Sequence, residues 1–160
     1  MGAKYLVSAC LAGVNCKYNG ANNLDNFIVE LVKNGDCVLI CPEQLGGCTT
    51  PRIPCEISSG TGEDVLDGRC KVISKDGVDV TNALIKGAEE TLKIAQLYNI
   101  DTAILKARSP SCGCGSIYDG SFKGQCISGD GVTTSLLKRH GIKVMTEEQM
   151  CDKTRMIKPK

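Results

Sequence analysis

Apolar positions along the chain alternate between short, nearly continuous runs and longer stretches with helical spacing. Residues 4–9 form the first run, the pattern of a strand buried on both faces. Residues 10–23 are dense in Gly and Asn and predict a loop. Leu24, Phe27, Ile28, Leu31 and Val32 then recur at helical spacing, and Asn34-Gly35 closes that helix. Residues 37–40 predict a second strand, giving a strand–helix–strand unit with parallel strands. Residues 41–64 carry three of the five prolines and predict a long irregular loop, which in a compact domain usually serves function. Residues 70–73 and 78–80 flank Lys75-Asp76-Gly77, a hairpin signal. Thr81 is placed to cap a helix over 82–98, with Leu84, Ile85, Ala88, Leu92, Ala95 and Leu97 on its apolar face. A strand at 102–106, a glycine-rich loop to about 116, a helix from Val132 to His140 ending at Gly141, and a strand from Ile142 to Met145 complete the pattern. The whole predicts one Rossmann-like α/β domain over 1–160, with a mostly parallel sheet flanked by helices. Its core spans about 4–146, and 147–160 form a C-terminal tail.

Composition narrows the possibilities. At 160 residues and 42% hydrophobic content, the chain can build a real core and is not a disordered segment. Nineteen basic and 18 acidic residues leave a formal charge of +1. Proteins that hold long nucleic acids through phosphates are usually more basic, so a small substrate is expected; the modest charge weighs against whole tRNA without excluding it. No segment has the length of a membrane span, and the N-terminal residues lack the pattern of a secretory signal, so the expected location is cytoplasmic. In that compartment 11 cysteines point to metal or catalysis rather than to disulfides.

Three of those cysteines follow predicted strands. Cys10 follows the first run, Cys41 follows Val38-Leu39-Ile40, and Cys112 follows Thr102–Leu105 after a short loop. Ligands of open parallel sheets bind beyond the carboxyl ends of the strands, so neighbouring strands would bring three thiols together there. Glu43 lies two residues past Cys41 in Cys41-Pro42-Glu43-Gln44-Leu45-Gly46-Gly47-Cys48, a candidate for proton transfer. Arg52 offers either a ligand-binding guanidinium or a carboxylate partner, the ion pair being the expected role. Ser109-Pro110-Ser111-Cys112-Gly113-Cys114-Gly115 brings hydroxyls, backbone amides and thiols together after a strand, with Lys106 and Arg108 favouring the thiolate. No Cys-x-x-Cys pair is present, and the one histidine, His140, is expected at the surface or as a helix cap. A three-cysteine zinc site or a cluster with an open corner both remain available to such a donor set.

Ser8-Ala9-Cys10-Leu11, Asn15-Cys16, the Cys41–Gly47 segment, Pro51-Arg52, Gly62-Glu63-Asp64-Val65 and Lys106–Gly113 occur in order and resemble the thiouracil desulfidase family, over Lys4 to about Met145. The resemblance implies an iron–sulfur enzyme that removes sulfur from thiolated pyrimidines, either a 2-thiouracil-type base or a 4-thiouridine-type nucleoside. It implies a 4Fe–4S cluster held by Cys10, Cys41 and Cys112, its open iron accepting the substrate sulfur. Glu43 would then be the acid/base and Ser109 the second catalytic residue, in a reaction that consumes no electrons. The chain departs from the family pattern at Cys48 and Cys114, which with Cys16 are rival ligands. Tyr18 or Tyr118 is placed to stack on the pyrimidine. The alternatives are a cysteine-based sulfur-transfer or redox enzyme, and a zinc-binding or nucleotide-binding α/β module without catalysis.

Overall fold

The computed structural model describes residues 2–151. In chain order its elements are β1 (Tyr5–Ser8), a 3-10 turn at Ala9–Ala12, α1 (Asn26–Lys33), β2 (Cys37–Ile40), α2 (Pro42–Leu45), β3 (Cys55–Ser58), α3 (Gly62–Leu66), β4 (Lys71–Ser74), α4 (Thr81–Leu97), β5 (Thr102–Leu105), β6 (Ser116–Tyr118), β7 (Cys126–Ser128), α5 (Val132–Arg139) and β8 (Lys143–Thr146). The four runs predicted as strands form one sheet in the order β2-β1-β5-β8, parallel throughout.

Alternation along the strands feeds two cores. Val7 and Ile104 point to one face, where they pack with Leu11 and with Ile28 of α1. Leu6, Ala103 and Leu105 point to the other, against Leu92 and Ala95 of α4 and Leu137 of α5. A third cluster, containing Ile57, Val72, Leu84 and Ile117, joins the small sheets to α4. The strand order reverses at β1: the chain steps outward to β2, then returns past β1 to β5. That reversal opens a crevice beyond the carboxyl ends of β1 and β5.

Several boundaries differ from those the sequence predicts. Helix α1 starts at Asn26 rather than Leu24, because the Asp25 carboxylate accepts the Phe27 and Ile28 N–H groups and caps it. Thr81 is the first residue of α4 rather than its cap; Asp79 accepts its N–H and hydroxyl. The stretch 41–64 is not an irregular loop: it holds α2, β3 and α3. The chain does turn at Lys75-Asp76-Gly77, with an Ile73–Asp79 bridge, but β4 takes β3 as its antiparallel partner. Strand β3 contains Glu56, which the polarity pattern disfavours. Its buried carboxylate accepts the Gly120 and Phe122 N–H groups at 2.9 and 3.1 Å, which satisfies it. The β6–β7 hairpin carries no alternating signal, since β7 is exposed throughout.

Residues 147–151, expected to open a tail, are helical and packed onto the domain. Glu147 accepts from the Lys106 ammonium and from the Ala107 N–H, and Met150 packs against the α1-side core. Residues 152–160, the rest of the expected tail, lie outside the described residues. Among the described residues no helix is long and apolar enough to cross a membrane.

Candidate active site

Each site residue is placed by a local device at a strand end. After β1 the chain tightens into the 3-10 turn that carries Cys10, and Gly13 leaves it at φ +92°. The Cys10 carbonyl accepts the Gly13 and Asn23 N–H groups, which folds the Asn-rich loop back and buries Cys16. After β2, Cys41 is extended and Pro42 opens α2, where a missing N–H costs nothing. Glu43 sits in the first turn of α2. That short helix is seated by glycines on both sides: a Cβ at Gly46 would lie 2.0 Å from the Ala83 carbonyl oxygen, and one at Gly87 would lie 1.9 Å from that of Pro42. After β5, the Ser109 hydroxyl oxygen accepts the Ser111 and Cys112 N–H groups, each at 3.1 Å, and curls the loop around Cys112.

These segments wall a cavity of about 540 Å³, in the range of about 300–1,000 Å³ common to small-molecule and cofactor sites. It is lined by Cys10, Cys41 and Cys112, by Glu43 and Ser109, and by Arg52. Cys16 and Cys55 also reach it, whereas Cys48 and Cys114 are not among its lining residues. The Cys114 thiol instead faces the Val144 carbonyl at 3.5 Å. Tyr18 and Tyr118 both line the cavity, joined by Phe122, which the sequence pattern did not single out. His140 lies exposed at the end of α5, as expected, with Nδ1 3.0 Å from the Leu136 carbonyl.

Arg52 takes the ion-pair role. It donates to Glu43 Oε2 through Nε and Nη2, and to the carbonyls of Cys16 and Thr49 at 3.0 and 3.1 Å. Both side chains are mostly enclosed, so this pair is screened far less than a surface one.

The thiols differ in character. Cys41 is lowered to about 6, chiefly by a hydrogen bond from the Cys16 thiol, against the effect of burial, with help from the Gln44 N–H and Arg52. Cys10 is lowered mainly by the same Cys16 thiol, and further by Asn23 and Lys106. Cys16, whose one thiol hydrogen lies within reach of both sulfurs, is driven far up. Complete burial pushes Cys112 up as well; the Ser8 hydroxyl opposes this, and the nearby charges of Cys10, Cys41 and Glu43 add to it. A buried thiolate at Cys112 therefore calls for positive charge beside it.

This donor set suits a soft, thiophilic group of several atoms. Three thiols approach from three separate strand ends around one cavity. Among the described residues, no three His, Cys, Asp or Glu side chains converge closely enough for a single metal ion.

Comparison with known proteins bears on the family. A family model described as 2-thiouracil desulfurase matches residues 5–149. The uncharacterized protein YbbK of Bacillus subtilis (strain 168) is 48% identical over 147 residues, which is 92% of this chain and 97% of YbbK. A solved structure of the 4Fe–4S-dependent thiouracil desulfidase TudS superposes with a TM-score of 0.82 at 40% identity, covering 94% of each chain. A match over almost the whole domain, with the thiol-lined cavity at the sheet's switch point, places this chain among enzymes: it belongs to the 2-thiouracil desulfurase family.

Proposed function

We propose that this protein is a 4Fe–4S-dependent desulfidase of thiolated pyrimidines, of the 2-thiouracil or 4-thiouridine type, and that the reaction is hydrolytic rather than redox. One observation carries the reading: thiols from three strand ends, a carboxylate–guanidinium pair and a serine hydroxyl line the same cavity. Family membership and the likeness to TudS support it.

In this reading Cys10, Cys41 and Cys112 hold the cluster and leave one iron without a protein ligand. When bound, the cluster supplies a thiophilic Lewis acid for the thiocarbonyl sulfur. The chain's own side chains do the rest. Arg52 grips Glu43 Oε2, which leaves Oε1 to take a proton from the water that attacks the ring carbon. The Ser109 oxygen already accepts two N–H groups, so its hydrogen is the one that donates, to a ring nitrogen or to developing negative charge. Tyr118 and Phe122 flank the cavity as aromatic walls for a flat base. Water and the thiocarbonyl give a carbonyl and sulfide, so atoms balance without an electron donor.

The test is anaerobic reconstitution followed by iron and sulfide analysis and a substrate panel of 2-thiouracil, 4-thiouracil and 4-thiouridine. About four irons per chain and sulfide release from at least one substrate are expected. A protein that takes up no iron, or a fully loaded one that releases no sulfide from any of the three, overturns the proposal.

A further inference from the structure

Ser8 ends β1 and is 3% exposed. The β1–β5 ladder pairs Leu6 with Ala103 and Val7 with Ile104, then stops. Beyond that point the Ser8 side chain replaces the backbone: its Oγ accepts the Lys106 N–H at 3.0 Å. A backbone N–H can only donate, so the roles are fixed, and the Ser8 hydrogen is free to point elsewhere. It donates to Cys112 Sγ at 3.5 Å, across 104 positions of sequence. The Cys112 backbone is pinned separately. Its N–H goes to Ser109 Oγ at 3.1 Å, and its carbonyl accepts from Thr134 Oγ1 at 2.9 Å. Among the described residues, Ser8 is thus the side chain that addresses the Cys112 sulfur itself, and both are buried.

We propose that Ser8 is a positioning residue for the metal centre: its hydroxyl donates to the Cys112 sulfur, fixes that ligand's direction and draws charge from its metal–sulfur bond. This rests on Cys112 being a ligand. Hydrogen bonds to ligating sulfur are among the levers that set the potential of iron–sulfur centres. Loss of such an outer partner commonly costs about 10–100-fold in metal affinity or activity.

The experiment uses the anaerobically reconstituted protein and its Ser8→Ala, Ser8→Thr and Cys112→Ser variants. Two properties are read: the rate of iron loss to a chelator and the reduction potential of the cluster. Ser8→Ala should lose iron about tenfold faster or more and show a more negative potential, and Ser8→Thr should restore both. Should Ser8→Ala fail to fold, Ser8→Thr against Ser8→Val, matched in size and differing in the hydroxyl, carries the same comparison. Equal iron-loss rates and equal potentials with and without the hydroxyl overturn the proposal. If Cys112→Ser keeps a full cluster that loses iron as slowly as the wild type, the ligand assignment fails instead, and the two failures are told apart.

Discussion

Gly87→Ala pits helix propensity against the seating of the turn that carries Glu43. Within a helix, alanine is favoured over glycine by about 1 kcal/mol, and Gly87 lies inside α4. By propensity alone the substitution would stabilise the protein. The new Cβ, however, would stand 1.9 Å from the Pro42 carbonyl oxygen, 2.8 Å from the Pro42 carbonyl carbon and 3.2 Å from the Gly46 nitrogen. All three are backbone atoms and cannot rotate aside, so α2 must retreat by about 1 Å to relieve the overlap. Overpacking of this kind costs about 1–3 kcal/mol, which offsets the propensity gain or exceeds it. The melting temperature should therefore fall or stay level, at about 2–4 °C per kcal/mol for a chain of this size. Activity should suffer more. Glu43 rides on α2 and Cys41 directly precedes it, and a 1 Å displacement of reacting groups can cost about 100-fold in rate. Thermal melting and desulfidation kinetics on the loaded protein read the two effects. Gly46→Ala should behave alike, since its Cβ meets the Ala83 carbonyl oxygen at 2.0 Å and its φ of −78° carries no strain of its own. Glu89→Ala, exposed on the same helix, should change neither property. A Gly87→Ala protein that melts higher than wild type and turns over at the wild-type rate would refute the argument.

Three further outcomes are expected. Glu43→Gln should keep its iron but lose about 10²–10⁴-fold in turnover; full activity with an intact cluster would remove the proton-transfer role. Serine substitutions at Cys10, Cys41 and Cys112 should each lower the iron content, whereas those at Cys48 and Cys114, away from the cavity wall, should leave it near wild type; a loss at Cys16→Ser as large as at Cys10→Ser would make Cys16 the ligand. Glu147→Gln should destabilise the protein by about 1–2 kcal/mol, less than the 3–5 of a fully buried pair, because both partners retain some exposure; unchanged denaturant midpoints would show that Glu147 does not hold the Lys106–Ser109 loop.

Much of the fold is legible in the chain because it depends on local pattern. The mostly apolar runs at 4–9, 37–40, 102–106 and 142–145 are the four parallel strands, with the central pair β1 and β5 the most deeply buried. The α4 stripe shows the helical period, although Leu97 ends up exposed at its last turn. The elements that escape are those whose polarity is resolved by distant partners. Glu56 makes β3 look like loop until residues 120 and 122 supply its donors. Glu147 reads as the start of a tail until Lys106 and Ala107 meet it.

The candidate site divides in the same way. The sequence alone supplied the chemistry: thiols placed just beyond strand ends, a glutamate after one of them, a serine before another, and Arg52 as a carboxylate partner. It could not supply adjacency. That came from the strand order β2-β1-β5, fixed by how helices cover both faces of the sheet, which turns three distant strand ends into neighbours. Only then does Cys16 come beside Cys10 and Cys41, Phe122 reach the cavity, and the Ser8 hydroxyl find a sulfur 104 residues away. Periodicity is a property of consecutive residues, whereas a hydrogen bond across the sheet exists only once the crossovers have brought its two ends together.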